Sequence, residues 1–270
     1  SRQQNSELFW ATIGGMGLTG IILDARFRLR AVQTAYCHVT YRRTANLEDT
    51  LDLFQQSDES FEYSVAWIDC LARGSKLGRS VVMLANDARV DDLPPGLRPA
   101  ALELPKRRRL AVPFHLPGFV LNPIAVKAFN GYYYSRYGDS ERLIDFDTFF
   151  YPLDGIRHWN RIYGRRGFVQ YQALFPHSTS RQGLVEMLEK IAHSRRASFL
   201  AVLKSSGPAN HGHLSYLYPG HTLALDFPYQ GEVTERLFQQ LDQILLTHGG
   251  RLYLAKDSMT TATTFARMYP

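Results

Sequence analysis

Toward the C-terminus the apolar residues switch repeatedly between a period of two and a period near four, and few folds accommodate that succession. Residues 168–175 predict a strand, as do 198–204 and 221–227. Between the first two, Ser180 is placed to cap a helix over Leu184, Met187, Leu188 and Ile191 that ends near Ser194. Residues 232–247 carry Val233, Leu237, Leu241, Ile244 and Leu245 at helical spacing, and Gly249-Gly250 closes that helix. Residues 251–254 read as a last strand. The order β-α-β-β-α-β is the ferredoxin-like unit. Earlier in the chain, a strand at 36–41, a helix at 46–56 and strands at 61–70 and 78–84 supply most of a second copy. The expected fold class is α+β, an antiparallel sheet built from such units with helices on one face.

The rest of the chain is less regular. Residues 19–30 set Ile22, Leu23, Ala25, Phe27 and Leu29 against Asp24, Arg26, Arg28 and Arg30, which predicts a strand with one wet face. Prolines at 94, 95, 99, 105, 113 and 117 rule out regular helix or central strand there and imply an extended connection. The apolar stretch from Phe119 through Ile124 to Tyr132-Tyr133-Tyr134 reads either as a helix packed on the core or as a lid over a lipid-bearing substrate. Four glycines, Gly14, Gly15, Gly17 and Gly20, lie within seven residues. Such a segment suits a turn or a close backbone approach to a ligand. A predicted strand follows them, so the pattern is not the dinucleotide fingerprint, which needs a strand before and a helix after.

Charge and cysteine usage narrow the function classes. The 270 residues carry a net charge of +6, with Lys106-Arg107-Arg108-Arg109 as the densest basic run. A basic chain is suited to phosphates or an anionic surface, but no nucleic-acid-binding signature is present. Cys37 and Cys70 are too few for a disulfide framework and have no zinc spacing, so they read as buried thiols in a reducing, cytoplasmic setting. No apolar run is long enough to span a membrane, although association with a membrane surface stays open. His211-Gly212-His213 has no apparent third ligand, and no metal is expected.

Several blocks carry a resemblance, in order along the chain. They are the glycine segment with Ile21-Ile22, Tyr63-Ser64-Val65-Ala66-Trp67-Ile68-Asp69, Tyr151-Pro152-Leu153-Asp154 through Trp159-Asn160-Arg161, Gly167-Phe168-Val169-Gln170-Tyr171-Gln172, and Gly249-Gly250-Arg251-Leu252-Tyr253 through Lys256-Asp257-Ser258 to Met268-Tyr269-Pro270. Together they resemble the decaprenylphosphoryl-β-D-ribose 2′-oxidase family of vanillyl-alcohol-oxidase-like FAD enzymes. The resemblance is weakest from about residue 91 to 138.

The resemblance implies a substrate-domain portion of an FAD-dependent oxidoreductase that oxidises a sugar alcohol to a ketone. Residues 1–30 would be the C-terminal edge of an FAD-binding domain, 31–250 the substrate-binding domain, and 251–270 a return toward the FAD domain. FAD is the implied cofactor of the parent protein, and the chain by itself is expected to lack it. The implied partners are a sugar or lipid-linked sugar, the missing FAD-binding domain and, as an open option, a partner reductase.

By the same resemblance Lys256 is the catalytic lysine. Gln172, Lys204, Trp67, Asp226, Phe150, Thr222 and Ala224 occupy substrate-pocket positions. Gly14, Gly15, Gly17, Gly20, Ile22 and Tyr253 lie at the cofactor edge. Read from the strands alone, Gln170 and Gln172 share a face, and Gln172 and Lys204 are as consistent with a wet surface as with a cavity. The chain departs from the mycobacterial pattern at Ala224, where a cysteine is usual, at Thr222, an asparagine, and at Phe150, a tyrosine; these changes put the substrate in doubt. Other readings consistent with the sequence are a catalytically silent fragment, a stand-alone sugar-phosphate-binding module and an aldonolactone oxidase.

Overall fold

Tyr36 to Leu252 carry two copies of one strand order, each within its own structural unit of the computed structural model. The structure describes residues 1–57, 59–107, 110–118, 120–196, 200–256 and 259–270. Arg108 and Arg109 of the basic run, Phe119, Ser198 at the start of a predicted strand, and Asp257 and Ser258 lie outside the described residues.

In chain order the first elements are α1 (Ser6–Thr12), β1 (Tyr36–Thr44), α2 (Leu47–Ser57), β2 (Tyr63–Ile68), β3 (Ser80–Asp87) and β4 (Leu110–Ala111). Then come α3 (Pro123–Arg136), β5 (Ser140–Asp145), α4 (Phe146–Phe150) and β6 (Ile156–Arg157). The last are β7 (Phe168–Pro176), α5 (His177–Ser194), β8 (Ala201–Ser206), β9 (Gly220–Pro228), α6 (Glu232–Thr247), β10 (Arg251–Leu252) and α7 (Ala262–Met268).

One unit spans Leu29–Phe168. Its main strands run in the order β2-β3-β1-β5, with antiparallel ladders between β2 and β3, β3 and β1, and β1 and β5. Asn46 starts α2 by accepting the Asp49 backbone N–H at 2.9 Å, and early carboxylates Glu48 and Asp49 suit the helix N-terminus. The ambiguous aromatic stretch is a helix. Asn122 accepts the N–H groups of Ile124 and Ala125, and Pro123 occupies the first helical position. Tyr133 and Tyr134 of α3, with Tyr137 just after it, pack on Cys37, Val39, Tyr41, Trp67, Val81 and Ala85. Thr44, on the alternate face of β1, instead hydrogen-bonds Thr50 of α2 at 2.7 Å. α3 and β5 complete the β-α-β-β-α-β order, but α2 and α3 pack on opposite faces of this sheet rather than on the one face expected, because both faces of β1 carry buried side chains.

A buried polar contact fixes α3 in place. Asp69 is 2% exposed and accepts Arg79 Nε at 2.9 Å and Nη2 at 2.7 Å, while Asn130 Nδ2 of α3 donates to its other oxygen at 2.7 Å. A buried carboxylate needs this satisfaction, because an unpaired one is strongly unfavourable.

The other unit comprises Ser1–Arg28 and Val169–Pro270, and its strands run β10-β7-β9-β8. The β8–β9 and β7–β10 ladders are antiparallel. Tyr171, Ala173 and Phe175 of β7, Leu223, Leu225 and Phe227 of β9, and Ala201 and Leu203 of β8 are buried on one face. Helices α5 and α6 cover that face: Phe238 meets Tyr171 and Phe227, and Gly183 lies where a Cβ would stand 2.6 Å from the Phe175 ring. The alternate residues, Gln170, Gln172, Lys204, Thr222, Ala224 and Asp226, share the opposite face.

Three further sequence expectations need correction. Residues 19–30 do not form a strand; 20–32 belong to no regular element. Ile21 and Leu23 are 90% and 89% exposed, because alternation makes a strand only where a neighbouring strand supplies the ladder, and no described strand pairs with this segment. Ser180 does not cap α5, which begins at His177 after Pro176; its hydroxyl instead bonds back to the His177 carbonyl. The last strand is shorter than 251–254, since the chain turns after Tyr253.

Candidate functional site

The open face of the Ser1–Arg28 and Val169–Pro270 unit holds a cavity of about 510 Å³. Its walls include Gly14, Gln172, Lys204, Thr222 and Tyr253, residues from five separate segments that the sequence reading had singled out. The ladder makes this convergence possible. Lys204 of β8 stands directly across from Thr222 of β9, and the Tyr253 N–H donates to the Gln172 carbonyl at 2.9 Å, which fixes the end of β10 against β7.

Tyr216 is the wall residue that sequence reasoning missed. Its hydroxyl and that of Thr222 are 2.5 Å apart, and Gln172 Nε2 donates to the same Thr222 oxygen at 3.5 Å. Burial pushes the Tyr216 phenol far above its ordinary range, with the bonds to Thr222 and Gln172 pulling the other way, so the group is neutral at physiological pH. Its ring lies 4.7 Å from that of Tyr253. Ser205, Ser206 and Gly207 also line the cavity, just past the point where the predicted strand stopped. The available signal for Tyr216 was Tyr216-Leu217-Tyr218, two aromatic residues two apart before a strand.

Asp226 lies along β9 from the cavity and is 1% exposed. Gln170 Nε2 donates to one of its oxygens at 2.6 Å, and the other has no partner among the described residues. Burial raises its carboxyl to about 6, opposed by the Gln170 bond and the nearby positive charge of Lys256. Lys256 itself is exposed, in a turn closed by its N–H to the Tyr253 carbonyl at 2.9 Å. Asp226, Ala224 and Lys256 therefore sit on the same unit as the cavity but not in its wall.

The glycine segment divides. Gly14 reaches the cavity with a φ of 68°, beside Ser215. The turn is fixed by Gly212, where a Cβ would meet the Ile13 carbonyl at 2.5 Å, and by Trp10 edge-on to His211 at 5.0 Å. Gly15, Gly17, Gly20 and Ile22 are not brought to the cavity. In the Leu29–Phe168 unit, Trp67 is buried with its ring 4.6 Å from that of Tyr133, and Phe150 packs edge-on to Tyr63 at 4.9 Å.

The donor set matches the ring end of a flavin better than its phosphate end. Backbone at Gly14 and flat aromatic surface at Tyr253 and Tyr216 suit a planar ring, whereas no glycine-rich loop opening a helix is present among the described residues. Among the described residues no group of three or more His, Cys, Asp or Glu is placed to hold a metal ion.

No protein-family profile matches the chain. Over 268 residues, 98% of its length, it is 36% identical to the decaprenylphosphoryl-beta-D-ribose oxidase of Mycolicibacterium smegmatis. The chain is similar to that oxidase along nearly its whole length. It spans 58% of the oxidase's length. It is also 29% identical over 278 aligned residues to the uncharacterized protein in the mprA 5′ region of Streptomyces coelicolor, covering 99% of this chain and 74% of that one. Two solved variants of berberine bridge enzyme, the second described as a reticuline dehydrogenase, align with TM-scores of 0.38 and 0.34. They are 9% and 11% identical, cover 79% and 77% of this chain, and are themselves covered to 41% and 40%.

Proposed function

We propose that this chain is the substrate-binding part of an FAD-dependent oxidoreductase that oxidises a secondary alcohol of a ribose-like, phosphate-linked sugar to a ketone. The observation that carries the reading is the convergence of Gln172, Lys204, Thr222, Tyr253 and Gly14 on one cavity, in a chain similar to a ribose oxidase. The cavity volume is in the range that small-molecule sites occupy. FAD, when bound, supplies the hydride acceptor.

The chain's own residues do the rest. Gln172 and Lys204 hold polar groups of the sugar, and Lys204 provides a cation for an anionic oxygen. Tyr253 and the Gly14 turn form the surface on which a flat ring rests. Lys256, the residue after Ala255 of the cavity wall, takes the catalytic role: on reaching the bound sugar its ammonium would stabilise negative charge developing on the reacting oxygen. The exposed apolar side chains of Ile21, Leu23, Phe27 and Leu29 support a role for residues 1–30 as an edge toward a further domain.

Anaerobic mixing of the flavin-loaded parent protein with a β-D-ribose phosphate tests the reading. The flavin absorbance is expected to bleach, and Lys256→Gln to slow bleaching by at least about 100-fold. Bleaching by an aldonolactone alone would replace the sugar-alcohol reading with a lactone oxidase. No bleaching by either leaves only a binding module.

A further inference from the structure

Ser206 carries a hydroxyl that is buried and meets no partner among the described residues. The residue is 8% exposed and lines the cavity. Buried hydroxyls are ordinarily bonded, so an unmet one in a cavity wall weakens the empty protein and favours a ligand that meets it. Its neighbours explain why it is free. Ser206 pairs across the ladder with Gly220, which has no side chain to offer. Gly220 cannot readily become anything else, since a Cβ there would stand 2.0 Å from the Phe175 carbonyl oxygen. Thr222, the next residue on that face, is already bonded to Tyr216 and Gln172.

Lys204 lies two residues before Ser206 on β8, on the same face and about 6.6 Å along the strand. The two side chains offer different chemistry. The ammonium only donates, so it takes an anionic or other acceptor oxygen; the hydroxyl donates and accepts, and a sugar hydroxyl uses both capacities. We propose that Ser206 is a specificity-determining residue that binds one hydroxyl of the carbohydrate while Lys204 holds an acceptor oxygen of the same molecule. This rests on the sugar-substrate reading above and adds the residue that selects among sugars. A site built to bond a hydroxyl discriminates strongly against an analogue that lacks it.

Calorimetric titration of the chain and its Ser206→Ala variant with β-D-ribose 1-phosphate and its 2-, 3- and 5-deoxy analogues tests the assignment. The variant is expected to bind the parent sugar about 10-fold more weakly, while one deoxy analogue binds both proteins equally. In the absence of ligand the variant is expected to melt at the same or a higher temperature. Equal weakening across all four sugars, or none, overturns the role of Ser206 and leaves the sugar reading standing. A lower melting temperature overturns it too, because the hydroxyl is then bonded in the empty protein. Failure of the unaltered chain to bind any of the four overturns both readings.

Discussion

Asp226 and His221 lie on one strand, on opposite faces, and their titrations oppose each other. Burial raises the Asp226 carboxyl to about 6 from an ordinary 3.8. The folded state then holds that proton more tightly than the unfolded state, so the ionised group destabilises the fold above about pH 6 and the penalty fades as the pH falls toward 3.8. The gap amounts to about 3 kcal/mol. Asp226→Asn is expected to melt at a higher temperature than the unaltered chain at pH 8 and to lose that advantage by pH 4. His221 has the reverse sign. Burial, then His177 and Arg181, lower its pKa to about 4 from 6.5. The unfolded chain gains a proton first, and stability is lost as the pH falls through that window, again by about 3 kcal/mol. His221→Gln is expected to flatten that loss. Melting curves of both variants from pH 4 to 8 check the two signs separately; the same sign for both would contradict the burial argument. The thiols make a simpler case. Cys37 and Cys70 are each 1% exposed, and burial pushes Cys37 up to about 11. Iodoacetamide at pH 8 is expected to leave the folded chain unmodified by intact mass and to label both cysteines after denaturation.

Helix α3 depends on the Asp69 contact more than on its own sequence. Asp69→Ala leaves the part-buried Arg79 without its carboxylate and the buried Asn130 without its acceptor, and a loss of about 3 kcal/mol in urea unfolding is expected. A loss below about 1 kcal/mol would show that the aromatic packing alone holds the helix. The same element shows where legibility in the sequence ended. Tyr132-Tyr133-Tyr134 has no helical period, so pattern alone left α3 open between helix and lid; Asn122 and Pro123 at its start were the readable signals. Strand β5 escaped because Glu141 and Arg142 are exposed and interrupt its apolar residues. By contrast α6 was read from Glu232 to Thr247 because Leu237, Leu241 and Leu245 mark one face and Gly249 turns the chain with a φ of 67°. For the site, strand parity was enough to put Gln170 with Gln172, and the cavity brings Lys204, Thr222 and Tyr253 to Gln172. Tyr216 had only its spacing from Tyr218 as a signal and Ser206 had none, since their places in the wall come from a connection that folds back and from a glycine across the ladder.

At the scale of the molecule, the described residues contain no helix long and apolar enough to cross a membrane. The largest run of exposed apolar side chains is instead the irregular stretch holding Leu18, Ile21, Ile22, Leu23, Phe27 and Leu29. Backbone without a ladder partner is the preferred site of proteolytic nicking. Brief chymotrypsin treatment of the chain is expected to cut first between residues 18 and 29, as read by mass spectrometry. First cuts within β7 or β9 would contradict the exposure of this stretch. The two units also differ in how they use the chain. One is the uninterrupted stretch Leu29–Phe168, whereas the other combines Ser1–Arg28 with Val169–Pro270. On a ribosome, the Ser1–Arg28 segment is therefore complete about 140 residues before Val169 and the strands that finish its unit emerge. At ordinary translation speeds of about 5–20 residues per second, that is a wait of roughly 7 to 28 seconds. The intervening stretch can finish folding within the wait, so the order of assembly is dictated by synthesis before contact energies have any choice to make.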